Sequence, residues 1–140
     1  MNETMRQAEE GLIEEFEWFD DPMEKYEHII ELGRELEEYP ETYRDENHLV
    51  KGCQSKVWLH AEPKEDTIHF YADSNTHITK GIIAILLRVL NNRKPSEIIE
   101  TDLGFLEEID LRSHLSSQRS NGLTAMIERI KAYAKLSMAQ

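Results

Sequence analysis

The chain has 140 residues, 28 acids against 16 lysines and arginines, a formal charge of −12 and one cysteine. That length suits one domain with a single substantial core. Such an acidic balance argues against binding a nucleic-acid backbone or an anionic membrane, so the expected partners are proteins or small molecules. A lone cysteine excludes an internal disulfide and a Cys-x-x-Cys pair, and one chain alone cannot supply the thiolates of a typical iron–sulfur site.

The first ten residues carry acids early and have no apolar run, unlike a secretory signal, so the expected location is the cytoplasm. From Met5 to Phe19, apolar Leu12, Phe16 and Phe19 recur at helical spacing among glutamates, which predicts an amphipathic helix. Asp20-Asp21-Pro22 ends it. Asp21 is placed to cap the next helix, with Pro22 in its first turn and Glu24 at its third position as in a capping box. That helix runs to about Leu32, with Met23, Tyr26, Ile29 or Ile30, and Leu32 on its buried stripe, and Gly33 placed to end or bend it. The acidic runs Glu9 to Glu17 and Glu31 to Glu46 read as solvated faces. Pro40 closes any continuation.

Tyr43 to Asn47 reads as an exposed connection leading to a possible short strand, His48 to Lys51. Two strands are expected at Val57 to Ala61 and Thr67 to Ala72, joined by Glu62 to Asp66 as a hairpin. Alternation puts Val57, Leu59, Ala61, Ile68, Phe70 and Ala72 on one face, and Trp58, His60, His69 and Tyr71 on a partly covered second face. Thr76 or Asn75 starts a helix to about Asn91. Its stripes Ile78, Ile82, Ile85, Leu86, Val89 and Ile83, Leu87, Leu90 make it apolar nearly all round, which belongs at the centre of a domain. Its longest apolar run, Gly81 to Leu90, falls short of the roughly 20 residues that span a bilayer. Pro95 opens a short helix to Glu100, and Leu103 to Ile109 reads as another turn or two. The last helix opens near Ser120-Asn121 and buries Leu123, Met126, Ile127, Ile130 and Tyr133, with Lys131 and Lys135 complementing its C-terminal dipole. The expected fold is α+β: a small antiparallel sheet of two to three strands with several helices on one side.

Candidate chemistry centres on Cys53. Gly52 permits a sharp turn before it, and Lys51 and Lys56 within three positions favour the thiolate, the nucleophilic form. The opposing reading is an ordinary buried small residue, since free cysteine is among the most buried types. Trp58 reads mainly as packing, and Arg119 equally as surface charge or functional cation. The six histidines read as surface residues: His60 and His69 across the hairpin make a weak metal pair without acids or thiols, so no metal site is expected. His48 near Cys53 admits a thiol-hydrolase reading, although nothing else completes a triad.

The segment Lys51-Gly52-Cys53-Gln54-Ser55-Lys56-Val57-Trp58 resembles the signature of the SufE family, sulfur acceptors of iron–sulfur cluster assembly, whose pattern is Gly-Cys-Gln-Ser-x-Val-Trp. His114-Leu115-Ser116-Ser117-Gln118-Arg119-Ser120-Asn121-Gly122-Leu123-Thr124-Ala125-Met126 is similar to a second family block. Asp73-Ser74 with Lys80 to Ala84, and Lys25-Tyr26 with Ile29 to Gly33, agree, so the resemblance runs from about Glu24 onward. Asn75 departs from it, since family members often carry an acid there, which argues against an ionic role.

The resemblance implies the SufE/IscU-like fold of cluster-scaffold proteins, without their metal binding because the ligands are missing. It implies a persulfide carrier and activator, not itself an enzyme and with no cofactor of its own. Cys53 would take sulfur from a pyridoxal-phosphate cysteine desulfurase and pass it to a downstream acceptor or cluster scaffold. Lys51, Lys56 and Arg119 would supply the positive field, Gln54 and Ser55 hydrogen bonds to the loop or the incoming sulfur, and Gly52 the bend. The alternative is a regulatory module that binds a desulfurase or another enzyme without carrying sulfur.

Overall fold

The computed structural model describes residues 4–51, 56–108 and 117–139, with the side chains of 107, 108, 117–122 and 139 outside the description. In chain order the elements are α1 (Met5–Glu17), α2 (Pro22–Arg34), β1 (Val57–Lys64), β2 (Thr67–Ser74), α3 (His77–Leu90), α4 (Pro95–Glu100), α5 (Phe105–Glu108) and α6 (Ser117–Ala139). The expected α+β class is the observed one, with β1 and β2 forming an antiparallel pair.

Thr4 opens α1 with a reciprocal cap: its hydroxyl accepts the Gln7 N–H at 3.1 Å, and its own N–H donates to the Gln7 side chain at 2.9 Å. Ala8, Leu12 and Phe16 are buried along one stripe, while Phe19 falls beyond the helix end and packs its ring 4.8 Å from that of His28. At α2, Asp21 caps as expected, accepting the Met23 N–H at 3.0 Å. The expected stripe needs correction. Met23 is 61% exposed, because the helix meets α3 further along, at Ile29 and Gly33. Gly33 does not end α2 either. A Cβ there would stand 2.7 Å from the Gly81 backbone nitrogen, and one on Gly81 would run into the Ile29 carbonyl oxygen, so the two glycines let the helix backbones touch.

The hairpin is longer than the sequence suggests. β1 pairs with β2 from Val57↔Ser74 to Lys64↔Thr67, and the link shrinks to Glu65-Asp66, with Glu65 at φ 53°. Pro63 sits inside β1 at no cost to the ladder. Its partner Ile68 turns both polar groups away, donating to the Arg93 carbonyl at 3.1 Å and accepting from the Asn92 N–H at 2.9 Å. Two residues along, the Asn91 side chain imitates a strand: its Oδ1 accepts the Phe70 N–H at 2.6 Å and its Nδ2 donates to the Phe70 carbonyl at 3.2 Å. The stretch just after α3 thereby blunts the β2 edge.

Val57, Leu59, Ile68, Phe70 and Ala72 are buried on the inner face, as alternation requires. They join both stripes of α3, Leu123, Met126, Ile130 and Ala134 of α6, and Leu103, Phe105 and Leu106 around α5 in one core cluster. Leu103 to Ile109 contributes the short α5 alone, and Ile109 lies outside the described residues. Lys131 serves a different helix from the one expected: its Nζ donates to the Thr101 carbonyl at 2.6 Å, where α4 ends. Among the described residues no helix is long and apolar enough to cross a membrane.

Candidate functional site

The Cys53 loop is framed by hydrogen bonds at both ends. On the entry side the expected strand at His48 to Lys51 reduces to a single bridge, Leu49↔Trp58, with the Val50 N–H donating to the Val57 carbonyl at 2.8 Å. The run is short because Glu46–His48 is taken up by a 3₁₀ turn, capped by Asp45, whose carboxylate accepts the His48 N–H at 3.1 Å. On the exit side, Asn75 Oδ1 accepts the Lys56 N–H at 3.0 Å and the Asn75 N–H donates to the Lys56 carbonyl at 3.2 Å. Between these clasps lie residues 51–56. Lys51 and Lys56 are exposed at the two ends; Gly52, Cys53, Gln54 and Ser55 lie outside the described residues. Arg119 falls early in α6, and its side chain is likewise outside the description.

The outer face of the hairpin is covered, and by a segment read from sequence as an exposed connection. Arg44 lies over the Trp58 ring at 4.8 Å and the Tyr39 ring at 5.2 Å, while its Nη2 donates to Asp73 at 2.9 Å. Lys80, one turn into α3, adds an ammonium 3.4 Å from the same carboxylate. Burial pushes the Asp73 carboxyl up, but Arg44, the Ser74 N–H and Lys80 outweigh it and hold it below the usual range. Burial raises the Tyr39 phenol to about 12, and its hydroxyl donates to the Tyr43 carbonyl at 2.9 Å. Trp58 is therefore packed, as expected, and packed by a cation.

Tyr43 stacks on His60 at 3.6 Å between ring centroids, with His48 at 5.5 Å from the same imidazole and Tyr71 at 6.3 Å. The histidines of the sheet are not surface residues. His60 and His69 keep only 12% of their side chains exposed, and they do not face each other: His60 pairs with Tyr71, while His69 sits opposite Glu62 and bonds Glu37 and Asn92. Burial holds His60 below its ordinary value against the weaker pull of Glu62, whose carboxylate stands 3.6 Å away. Among the described residues no group of three or more metal-ligating side chains is placed to hold an ion.

Sequence reasoning passed over Arg44, Arg129 and the amide of Asn75 as bonding groups. Arg129 donates to the Asn47 carbonyl at 2.9 Å and lies 5.4 Å from the Tyr133 ring centre. Beside it an open groove of about 270 Å³ runs between Val50 and Lys51 on one wall and Ala125, Glu128, Arg129 and Ala132 on the other. The one signal for Arg44 was the aromatic outer face of the hairpin, which needs a partner from somewhere in the chain. In sequence the chain's single cysteine lies between two exposed cations, Lys51 and Lys56, and the residues on either side, Val50 and Lys56, are hydrogen-bonded to Val57 and Asn75.

Residues 10–134 match the family model described as SufE, Fe-S metabolism associated domain. The chain is 40% identical over 129 residues to an uncharacterized SufE-like protein of Rhizobium meliloti, covering 89% of this chain and 92% of that one. It is 37% identical over 114 residues to a protein of Wigglesworthia glossinidia brevipalpis named "Cysteine desulfuration protein SufE", covering 80% and 79%. The solution structure of a hypothetical protein from Thermus thermophilus superposes with a TM-score of 0.79 over 95% of this chain and 97% of that one. At 18% identity that likeness bears on the fold alone.

Proposed function

The chain belongs to the SufE family, and from that premise we propose that it is a sulfur carrier that takes persulfide sulfur from a cysteine desulfurase onto Cys53 and so stimulates the desulfurase. The observation that carries this reading is the framing of the chain's only cysteine: a loop clasped at Val50–Val57 and at Lys56–Asn75, with Lys51 and Lys56 exposed at its two ends. The name of the Wigglesworthia relative supports a desulfurase as the partner. In this reading residues 1–140 act as one domain in the cytoplasm.

The transfer is a thiolate exchange. Cys53 Sγ attacks the terminal sulfur of the desulfurase persulfide and forms a new S–S bond. The old S–S bond breaks, and the desulfurase cysteine leaves as a thiolate with no net oxidation. The two lysines favour the attacking form of Cys53 by raising the local positive potential. A second exchange hands the sulfur to a downstream acceptor or cluster scaffold.

The test is intact mass after mixing the protein with a desulfurase, cysteine and pyridoxal phosphate. The expected product gains the mass of one sulfur atom, loses it on reduction, and does not form with Cys53→Ala. No adduct on the unaltered chain sinks the proposal. Stimulation that survives Cys53→Ser would identify a regulatory module instead.

A further inference from the structure

The outer edge of β2 is closed along part of its length and open at one rung. Ile68 is bonded there by Asn92 and Arg93, and Phe70 by both arms of the Asn91 amide. Backbone groups alternate in direction along a strand, so Ala72, two residues on, turns its N–H and C=O the same way. Among the described residues nothing bonds either group, although Ala72 is only 2% exposed. Buried backbone groups are almost always paired, and here they border a cavity. At Ser74 the open edge ends, because its N–H is taken by the Asp73 carboxylate at 2.8 Å.

That cavity, about 230 Å³, lies along Phe70, Tyr71 and Ala72, walled by Leu32 and Leu36 from the α2 side and by Ala84 and Leu87 of α3. Leu32, Leu36 and Ala84 are only half-buried, so the fold leaves apolar surface beside the open rung. The volume falls below the roughly 300–1,000 Å³ of pockets for drug-sized ligands and suits a single side chain. Its exposed border is acidic: Glu35 and Glu37 stand there, and the guanidinium of Arg88 beside them is held by Glu15 at 3.2 Å.

We infer that this edge is a one-residue docking slot for an extended basic segment of a partner protein: an apolar residue lies antiparallel to Ala72, exchanges both main-chain bonds with it and puts its side chain in the cavity, with lysine or arginine on either side. Directly opposed residues of an antiparallel pair can exchange both bonds and carry their side chains on the same face. Here that is the inner face, where Leu36, Ala84 and Leu87 wait. The Asn91 amide already makes the same two bonds one rung away, at Phe70. Main-chain bonds supply the attachment, the cavity selects an apolar residue, and Glu35 and Glu37 select cationic neighbours. The slot stands independently of the sulfur-carrier reading.

The experiment titrates the full, isotope-labelled chain with the capped peptide acetyl-Lys-Ile-Lys-amide at low salt and follows the backbone amide signals. Those of Leu36, Ala72 and Ala84 should shift saturably, with half-saturation at about 1 mM or below. Methylating the isoleucine nitrogen removes the donor to the Ala72 carbonyl and should weaken binding about tenfold. The acidic peptide acetyl-Glu-Ile-Glu-amide should bind several times more weakly than the basic one. Ala84→Leu, which fills the cavity from α3, should abolish the shift at Ala72 with an unchanged circular dichroism spectrum; should that variant not fold, the methylated peptide decides alone. No saturable shift up to about 10 mM overturns the inference. Equal binding of the methylated or the acidic peptide overturns it too, as does full binding to a folded Ala84→Leu. An Ala72 signal that moves with protein concentration alone, in step with a dimer seen by sedimentation, would give the edge to a second copy of the chain and equally overturn it.

Discussion

Asn75 holds both polar backbone groups of Lys56, accepting its N–H at 3.0 Å through the side chain and donating to its carbonyl at 3.2 Å through the main chain. The pair adds one rung to the hairpin beyond Val57↔Ser74 and fixes the residue from which the Cys53 loop departs. The position needs an acceptor for an N–H, and an amide oxygen serves as well as a carboxylate.

Replacing Asn75 by alanine should therefore cost about 0.5–1 kcal/mol, the net worth of an exposed hydrogen bond whose freed N–H turns to water, whereas Asn75→Asp should cost little at neutral pH. Urea denaturation of the two variants measures this. Equal losses in both would mean that the amide N–H₂ group, and not the acceptor, holds Lys56.

Much of the fold could be read locally because it is written in short-range terms. The all-round apolar α3, the alternation in β1 and β2, and the caps at Asp21 and Pro95 are spacing and turn chemistry, and each appears where expected. What escaped depends on distant partners. Gly33 and Gly81 are 48 positions apart, and nothing near either says that they touch; Gly33 alone looks like a helix end. Lys131 has the composition of a dipole complement to its own helix and spends its charge on α4. Tyr39, Tyr43 and Arg44 sit in an acidic, proline-marked stretch that reads as solvated, yet they roof the aromatic face of the hairpin. The motif around Cys53 could be read from the sequence as a candidate, while the hydrogen bonds that frame it, Val50 to Val57 and Lys56 to Asn75, could not.

Gly81→Ala should destabilise the protein by about 2 kcal/mol. The added Cβ enters the Ile29 carbonyl, and overpacking against backbone typically costs about 1–3 kcal/mol or more, from which a gain of about 1 kcal/mol in helix propensity is subtracted. A shift of the urea midpoint at constant slope would report it. A variant as stable as the original would show that α2 and α3 are not in backbone contact.

His60 should make stability fall on mild acidification. Its folded value is lowered from 6.5 by burial, so as pH drops below 6.5 the unfolded chain takes up a proton that the folded chain still refuses. The loss accumulates between 6.5 and the lower folded value and then levels off. Around the imidazole stand Tyr43, His48, Glu62 and Tyr71, and His48 carries its own carboxylate partner, Asp45. His60→Phe keeps a flat ring against Tyr43 and removes the titration. Subtracting its thermal-midpoint profile from that of the unaltered chain isolates the effect; parallel profiles between about pH 5 and 7 would assign any acid loss to other groups.

Arg44 and Asp73 should be energetically coupled, and Trp58 should report it. The two side chains are 28% and 20% exposed and 2.9 Å apart, so solvent screens the pair less than it would a surface ion pair. A double-mutant cycle with Arg44→Gln and Asp73→Asn should give a coupling of about 1 kcal/mol, shared with Lys80, which also faces the carboxylate. The sign of its pH dependence follows from the lowered Asp73 value: the contribution is complete above 3.8 and is lost as pH falls through the folded value below it. Arg44→Gln also lifts a cation from the Trp58 ring, which should change that residue's emission in a Trp18→Phe background while Asp73→Asn changes it less. Were the coupling zero and the emission unmoved, Arg44 would be a surface charge, and the roof over the hairpin would rest on Tyr39 and Tyr43 alone.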